Sequence, residues 1–155
     1  MNSKTIFFIA FFACACSLFA QFVQAQQVQV QPVQLRCEYL VRPLGLDVRN
    51  PRLSWQLQDD RYGAVQQAYR IIVGTDSADV SRGNGAVWDK SATSGDMLVT
   101  YGGQPLEPFT RYFWRVEIKD MDNVLRTSGV SSFETGMMDM SNWKGYWISD
   151  GEHLG

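Results

Sequence analysis

Between Leu53 and Gln58 the chain alternates apolar and polar residues, Leu-Ser-Trp-Gln-Leu-Gln, the period of a strand with one face in a core. Pro51 stands just ahead, where a strand begins without losing a ladder hydrogen bond. The longest alternation runs from Arg111 to Asp120. Tyr112, Trp114, Val116 and Ile118 take one face; Arg111, Arg115, Glu117 and Lys119 take the other, with Phe113 the exception on the polar side. Ala68 to Val73 reads as a strand ended by Gly74, and Val130 to Thr135 as a return strand with Phe133 inward. Ala86-Val87-Trp88 and Met97 to Tyr101 are weaker strands. Asp59-Asp60-Arg61-Tyr62-Gly63 and Asp120-Met121-Asp122-Asn123 are polar turns. No window of a dozen residues carries a helical period. Short strands at regular spacing, about seven in about 100 residues, predict an all-β sandwich.

One local pattern narrows the class. In immunoglobulin-like and fibronectin type III sandwiches, a Tyr near the start of the sixth strand returns its hydroxyl to backbone just upstream. Here Leu106, Pro108, Thr110, Tyr112, Trp114 and Val116 fall at alternate positions, a spacing that resembles the fibronectin type III version of this corner. Trp55 is then expected as the indole between the two sheets, with Tyr112 and Trp114 as structural residues. An ordinary strand bearing an exposed Tyr is the competing interpretation.

The amino terminus predicts a compartment. Lys4 precedes an apolar run from Ile6 to Ala20, about 15 residues, which suits a signal peptide and is short of the roughly 20 that a membrane span needs. Cleavage after Ala20 or after Ala25 satisfies the small-residue rule, and Ala25 leaves a polar Gln-rich start. A lipid anchor at Cys16 or Cys14 is the rival, though Ala13-Cys14-Ala15 fits a lipobox poorly. The expected organisation is a signal peptide over 1–25, a linker over 26–34, the sandwich over 35–136, and over 137–155 a linker with the truncated start of another β domain. The mature product is expected in the periplasm or outside the cell, without a transmembrane span. It keeps only Cys37, so no internal disulfide forms. Removing Lys4 leaves 13 cations against 16 carboxylates, interspersed, which argues against a nucleic-acid partner.

Candidate chemistry is sparse. Asp59-Asp60 and Asp120/Asp122 are paired carboxylates in turns, where Asp is favoured for bonding nearby backbone. The Asp120 segment lacks the Gly and distal Glu of a calcium loop. Asp150, Glu152 and His153 lie near the carboxyl end, and no other His is present to pair with a thiol or hydroxyl. Gly83-Asn84-Gly85 is not set between a strand and a helix, so it predicts no phosphate cradle. No residue is nominated as catalytic, cofactor-binding or metal-ligating, and no cofactor is expected. Aromatic residues make up 13 % of the chain. Trp88, Phe113, Trp143, Tyr146 and Trp147 are candidates for stacking on sugars or for docking another domain.

A run of short words then adds a family. Glu38 precedes Pro51-Arg52-Leu53-Ser54-Trp55; after these come Gln67-Ala68-Tyr69-Arg70-Ile71-Ile72-Val73 and Val87-Trp88-Asp89-Lys90-Ser91. Val99-Thr100-Tyr101-Gly102-Gly103, Tyr112-Phe113-Trp114-Arg115-Val116 and Phe133-Glu134-Thr135-Gly136 complete the order. The succession resembles the N-terminal, fibronectin type III-like region of bacterial α-L-rhamnosidases of glycoside hydrolase family 78. Trp143-Lys144-Gly145-Tyr146-Trp147-Ile148 resembles the opening of the family's next β domain. The resemblance implies a parent enzyme that removes terminal α-L-rhamnose from plant glycans with inversion. That chemistry uses an acid and a base on a helical barrel, to which no residue here corresponds. It also implies downstream domains of the same enzyme as partners, and contact with rhamnose-containing glycan only through that enzyme. An autonomous carbohydrate-binding module and an adhesion-type fibronectin domain are the alternatives.

Overall fold

A computed structural model describes residues 29–146; the expected signal peptide, Trp147 and His153 lie outside these residues. Eight strands are described: β1 (Gln31–Cys37), β2 (Arg52–Gln58), β3 (Ala68–Gly74), β4 (Trp88–Ala92), β5 (Leu98–Thr100), β6 (Arg111–Lys119), β7 (Leu125–Thr127) and β8 (Ser131–Glu134). They form two antiparallel sheets, β1-β2-β5 and β4-β3-β6 with β7 and β8 both on the free side of β6. The alternation at 53–57 and 112–118 puts Leu53 and Trp55 of one sheet against Tyr112, Trp114, Val116 and Ile118 of the other. The chain is an all-β, immunoglobulin-like sandwich whose core lies between these faces.

Two departures from the sequence pattern have physical causes. The expected linker over 26–34 is corrected in its last part: β1 begins at Gln31 and pairs with β2 from Gln31↔Gln58 to Cys37↔Leu53. Its Gln-Val alternation looks like a polar spacer because β1 is an edge strand with most side chains partly or fully wet. The single return strand expected over 130–135 is two strands. Between Glu117↔Thr127 and Trp114↔Ser131 the register slips by one residue, which is a bulge. Ser128 repairs it, its N–H donating to Val116 O and its hydroxyl accepting from Val116 N–H, at 2.8 and 2.9 Å.

One helical turn, α1 (Ser77–Arg82), follows β3. Asp76 caps it by accepting from the Ala78 and Asp79 N–H groups, and Gly83 ends it in the left-handed conformation. Val80 is fully buried, as is Ile72 on the outward side of β3, where this turn covers the sheet. Among the described residues no helix is long and apolar enough to cross a membrane.

Candidate functional site

The registers gather three segments at one end of the sandwich. Cys37 faces Leu53, Arg52 faces Thr100, and Arg111 faces Glu134. The 38–51 and 101–110 loops and the segment departing from β8 therefore share that end. Direct bonds knit them together. Leu46 pairs in parallel with Thr135, Phe109 N–H donates to Gly136 O, and Met138 N–H donates to Asp47 Oδ1 at 2.7 Å. Gly136 permits this approach, since a Cβ there would stand 2.6 Å from Asp47 Oδ1.

Two buried tyrosines pin the 101–110 loop. Tyr112 Oη accepts from Glu107 N–H at 2.8 Å while its ring stacks on Phe133, which is the geometry of a tyrosine corner. Tyr101 Oη donates to Gln104 O at 2.6 Å. Burial, with Tyr112 nearby, pushes the Tyr101 phenol up to about 12. Thr135, 2 % exposed, bonds Glu107 O and Thr110 N–H through its hydroxyl, holding the corner to β8.

The 37–40 turn is held in an unfavourable conformation. Leu40 N–H donates to Cys37 O across Glu38 and Tyr39, whose φ angles are +49° and +64°. This is a left-handed two-residue turn of the kind that favours Asn-Gly, occupied instead by Glu-Tyr. Arg52 restrains both residues. Its backbone N–H and guanidinium grip the Glu38 carboxylate at 2.6 Å each, and the guanidinium lies 4.7 Å from the Tyr39 ring centroid. That grip, chiefly the side-chain hydrogen bond, holds Glu38 below the usual carboxylate range. Neighbouring Cys37 is 1 % exposed; burial, then the Glu38 charge, pushes its thiol from 9.0 to about 12.

Beside these loops lies an open cleft of about 380 Å³, lined by Asn50, Tyr101, Pro105, Leu106, Met138 and Asn142 among others. Arg49, Gln104 and Asp139 also line it. Elsewhere on the loops and departing segment of this end Leu40, Val41, Leu44, Val48, Phe109 and Met140 are exposed, Leu44 at 70 % and Met140 at 75 %.

The carboxylates considered for chemistry are engaged structurally. Asp120 is fully buried at the opposite end. Burial would raise its pKa, but the Val124 N–H, Arg126 and the Asp122 N–H outweigh it and hold the carboxyl low. Arg61 bridges Asp59, Asp120 and Asp122, and its hydrogen bond lowers Asp59. On the outer face of the second sheet, Arg70 ties Asp89 to Glu117. Among the described residues no cluster of His, Cys, Asp and Glu is arranged to hold a metal ion.

The nominated aromatics separate. Trp55, 3 % exposed, and Trp114, fully buried, lie in the core. Trp88 is corrected from candidate docking or sugar-stacking residue to core residue. It is 8 % exposed and packs edge-to-face on Tyr101 at 5.0 Å, because β4 starts at Trp88 and points it between the sheets. Phe113 is half-buried on the outer face of β6 beside Ser132, while Trp143 and Tyr146 are exposed in the departing segment. Three structural residues escaped the pattern. Gln66 is buried, accepts the Trp55 indole N–H at 2.8 Å and donates to Ser94 O and Asp96 O. Arg52 and Thr135 hold the two loops; only the ordered words containing them drew attention to either.

A two-sheet sandwich with a tyrosine corner and loops bound at one end defines an immunoglobulin-like module. Residues 32–139 match the family described as Rha78A-like, N-terminal immunoglobulin domain, and the chain belongs to that family. It is 44 % identical over 115 residues to an α-L-rhamnosidase of Streptomyces avermitilis, covering 72 % of this chain and 11 % of that protein. An α-L-rhamnosidase of Formosa agariphila is 29 % identical over 145 residues, covering 92 % of this chain and 15 % of that protein. The chain thus spans 11–15 % of the length of these curated relatives. Among solved structures, the Dictyoglumus thermophilum α-L-rhamnosidase superposes with a TM-score of 0.75 at 38 % identity, over 79 % of this chain and 14 % of that one. The Streptomyces avermitilis enzyme complexed with L-rhamnose gives 0.72 at 41 %, over 78 % and 12 %.

Proposed function

We propose that this chain serves as the N-terminal accessory module of an exported α-L-rhamnosidase, acting by packing against the rest of that enzyme. The observation that carries this is the match of nearly the whole sandwich to a small N-terminal share of several α-L-rhamnosidases. The engagement of Glu38, Asp59 and Asp120 by arginines is in keeping with it, since carboxylates held below their usual range are poor acids and bases near neutrality. The parent reaction is hydrolysis of terminal α-L-rhamnosyl groups with inversion, performed by an acid and a base supplied outside this sandwich. Purified residues 26–155 incubated with p-nitrophenyl α-L-rhamnoside are expected to release no nitrophenol; clear turnover would sink the proposal.

Export belongs to the same proposal, on the strength of Lys4 and the apolar run ending at Ala20. Expression of the full chain in a Gram-negative host is expected to yield periplasmic protein whose first residue is Gln26. A product that retains Met1 in the cytoplasm contradicts export, and a lipidated Cys16 or Cys14 replaces the free form with an anchored one.

A further inference from the structure

Apolar exposure in this molecule is lopsided. Nine of the fourteen large apolar side chains exposed among the described residues belong to the loops and departing segment at the end that carries the 37–40 turn. The opposite end shows Tyr62, Val65, Val124 and Leu125. Backbone strain follows the same division. Of the seven non-glycine residues with positive φ among the described residues, five (Glu38, Tyr39, Arg42, Phe109 and Met138) are at the apolar end. Such conformations persist where surrounding contacts over-determine them, and here Arg52 and the Asp47–Met138 bond do so. The end is thus held in one shape while presenting apolar side chains to water, a combination that marks an interaction surface.

We propose that this end of the sandwich is the seat for the next domain of the rhamnosidase polypeptide, a deeper form of the accessory-module proposal and resting on it. The relatives continue far beyond the part this chain matches. Their continuation follows the departing segment, which leaves β8 alongside these same loops. Residues 137–142 are tied to this end by the Gly136 and Met138 backbone bonds and by Asn142 donating to Met137 O, so the route towards any continuation starts from the seat. The seat is mostly aliphatic: Leu40, Val41, Leu44, Val48 and Met140 are aliphatic or thioether side chains, and the exposed rings beside them are Tyr39, Phe109, Trp143 and Tyr146. A patch of that mixed composition suits an apolar protein surface.

The test compares residues 29–155 alone with the same residues grafted in place of the aligned segment of the Streptomyces avermitilis α-L-rhamnosidase. Backbone hydrogen exchange in 38–48, 106–109 and 138–142 is expected to slow about tenfold or more in the graft, with 59–67 and 120–124 unchanged. Leu44→Asp is expected to lower the melting temperature of the graft by several degrees without affecting the lone domain, whereas Tyr62→Asp leaves both alone. A graft that hydrolyses p-nitrophenyl α-L-rhamnoside but protects another face overturns the seat and leaves the accessory-module proposal standing. A graft protected nowhere and melting independently of the enzyme overturns both. Concentration-dependent protection of the apolar end in the lone domain assigns it to a second copy and overturns the seat alone.

Discussion

At the residue scale, the corner depends on one hydroxyl. Tyr112→Phe keeps the ring on Phe133 but leaves the Glu107 N–H without its acceptor, in a part-buried position. Loss of such a bond costs about 0.5–1.5 kcal/mol, so urea denaturation should show that loss of unfolding free energy as a lowered midpoint with an unchanged m-value. The spacing around Tyr112 is legible in sequence because each position there has a single role, while its stack on Phe133 takes the β6–β8 register to see. Gln66 is not legible. A buried glutamine that joins Trp55 to the Ser94–Asp96 loop looks, in one dimension, like any polar residue beside Gln67.

At the scale of elements, strict alternation makes β2 and β6 readable, since both sheets bury one face of each. Where a strand lies at an edge or its partner changes, the period fails. β1 reads as a linker because water reaches much of it, and the β7–β8 bulge hides in Ser128-Gly129, whose side-chain and backbone bonds replace a ladder rung. The clamp on the 37–40 turn is likewise invisible locally, because Arg52 comes from the next strand. Arg52→Lys keeps the charge but loses the planar fork that reaches Glu38 through two nitrogens and lies against the Tyr39 ring. The expected result is a lower melting temperature, together with faster hydrogen exchange at Leu40 and Glu38 than elsewhere in β1 and β2.

For the whole molecule, the titrating groups set a stability window. Glu38, Asp59, Asp89 and Asp120 have carboxyls held below their unfolded values, so their contribution is present above pH roughly 4 and is lost as pH falls through the lowered values. Cys37 acts in the opposite sense. Its buried thiol stays neutral up to about 12, while the unfolded thiol ionises near 9.0, so its contribution is whole below the unfolded value and is lost as pH climbs between them. Melting temperature should therefore fall on both sides of neutrality. Cys37→Ala should flatten the limb above pH 9, leaving the losses from Tyr101, whose phenol is also pushed up to about 12, and from Tyr69, whose phenol burial also raises. An alkaline limb unchanged by that substitution would place its origin elsewhere.

The parallel pairing of Leu46 with Thr135 joins the first long loop to the final strand, 89 residues later. A ribosome adding about 5–20 residues per second needs roughly 4–18 s to cross that distance. Through that interval β1 and β2 can pair locally, but the loop between them has nothing to close against. The vulnerable period in the life of this sandwich is thus its birth. In cell-free synthesis without chaperones or a membrane, material should be lost to aggregation chiefly before Thr135 emerges; a chain that is exported meets the same gap as it threads across the membrane.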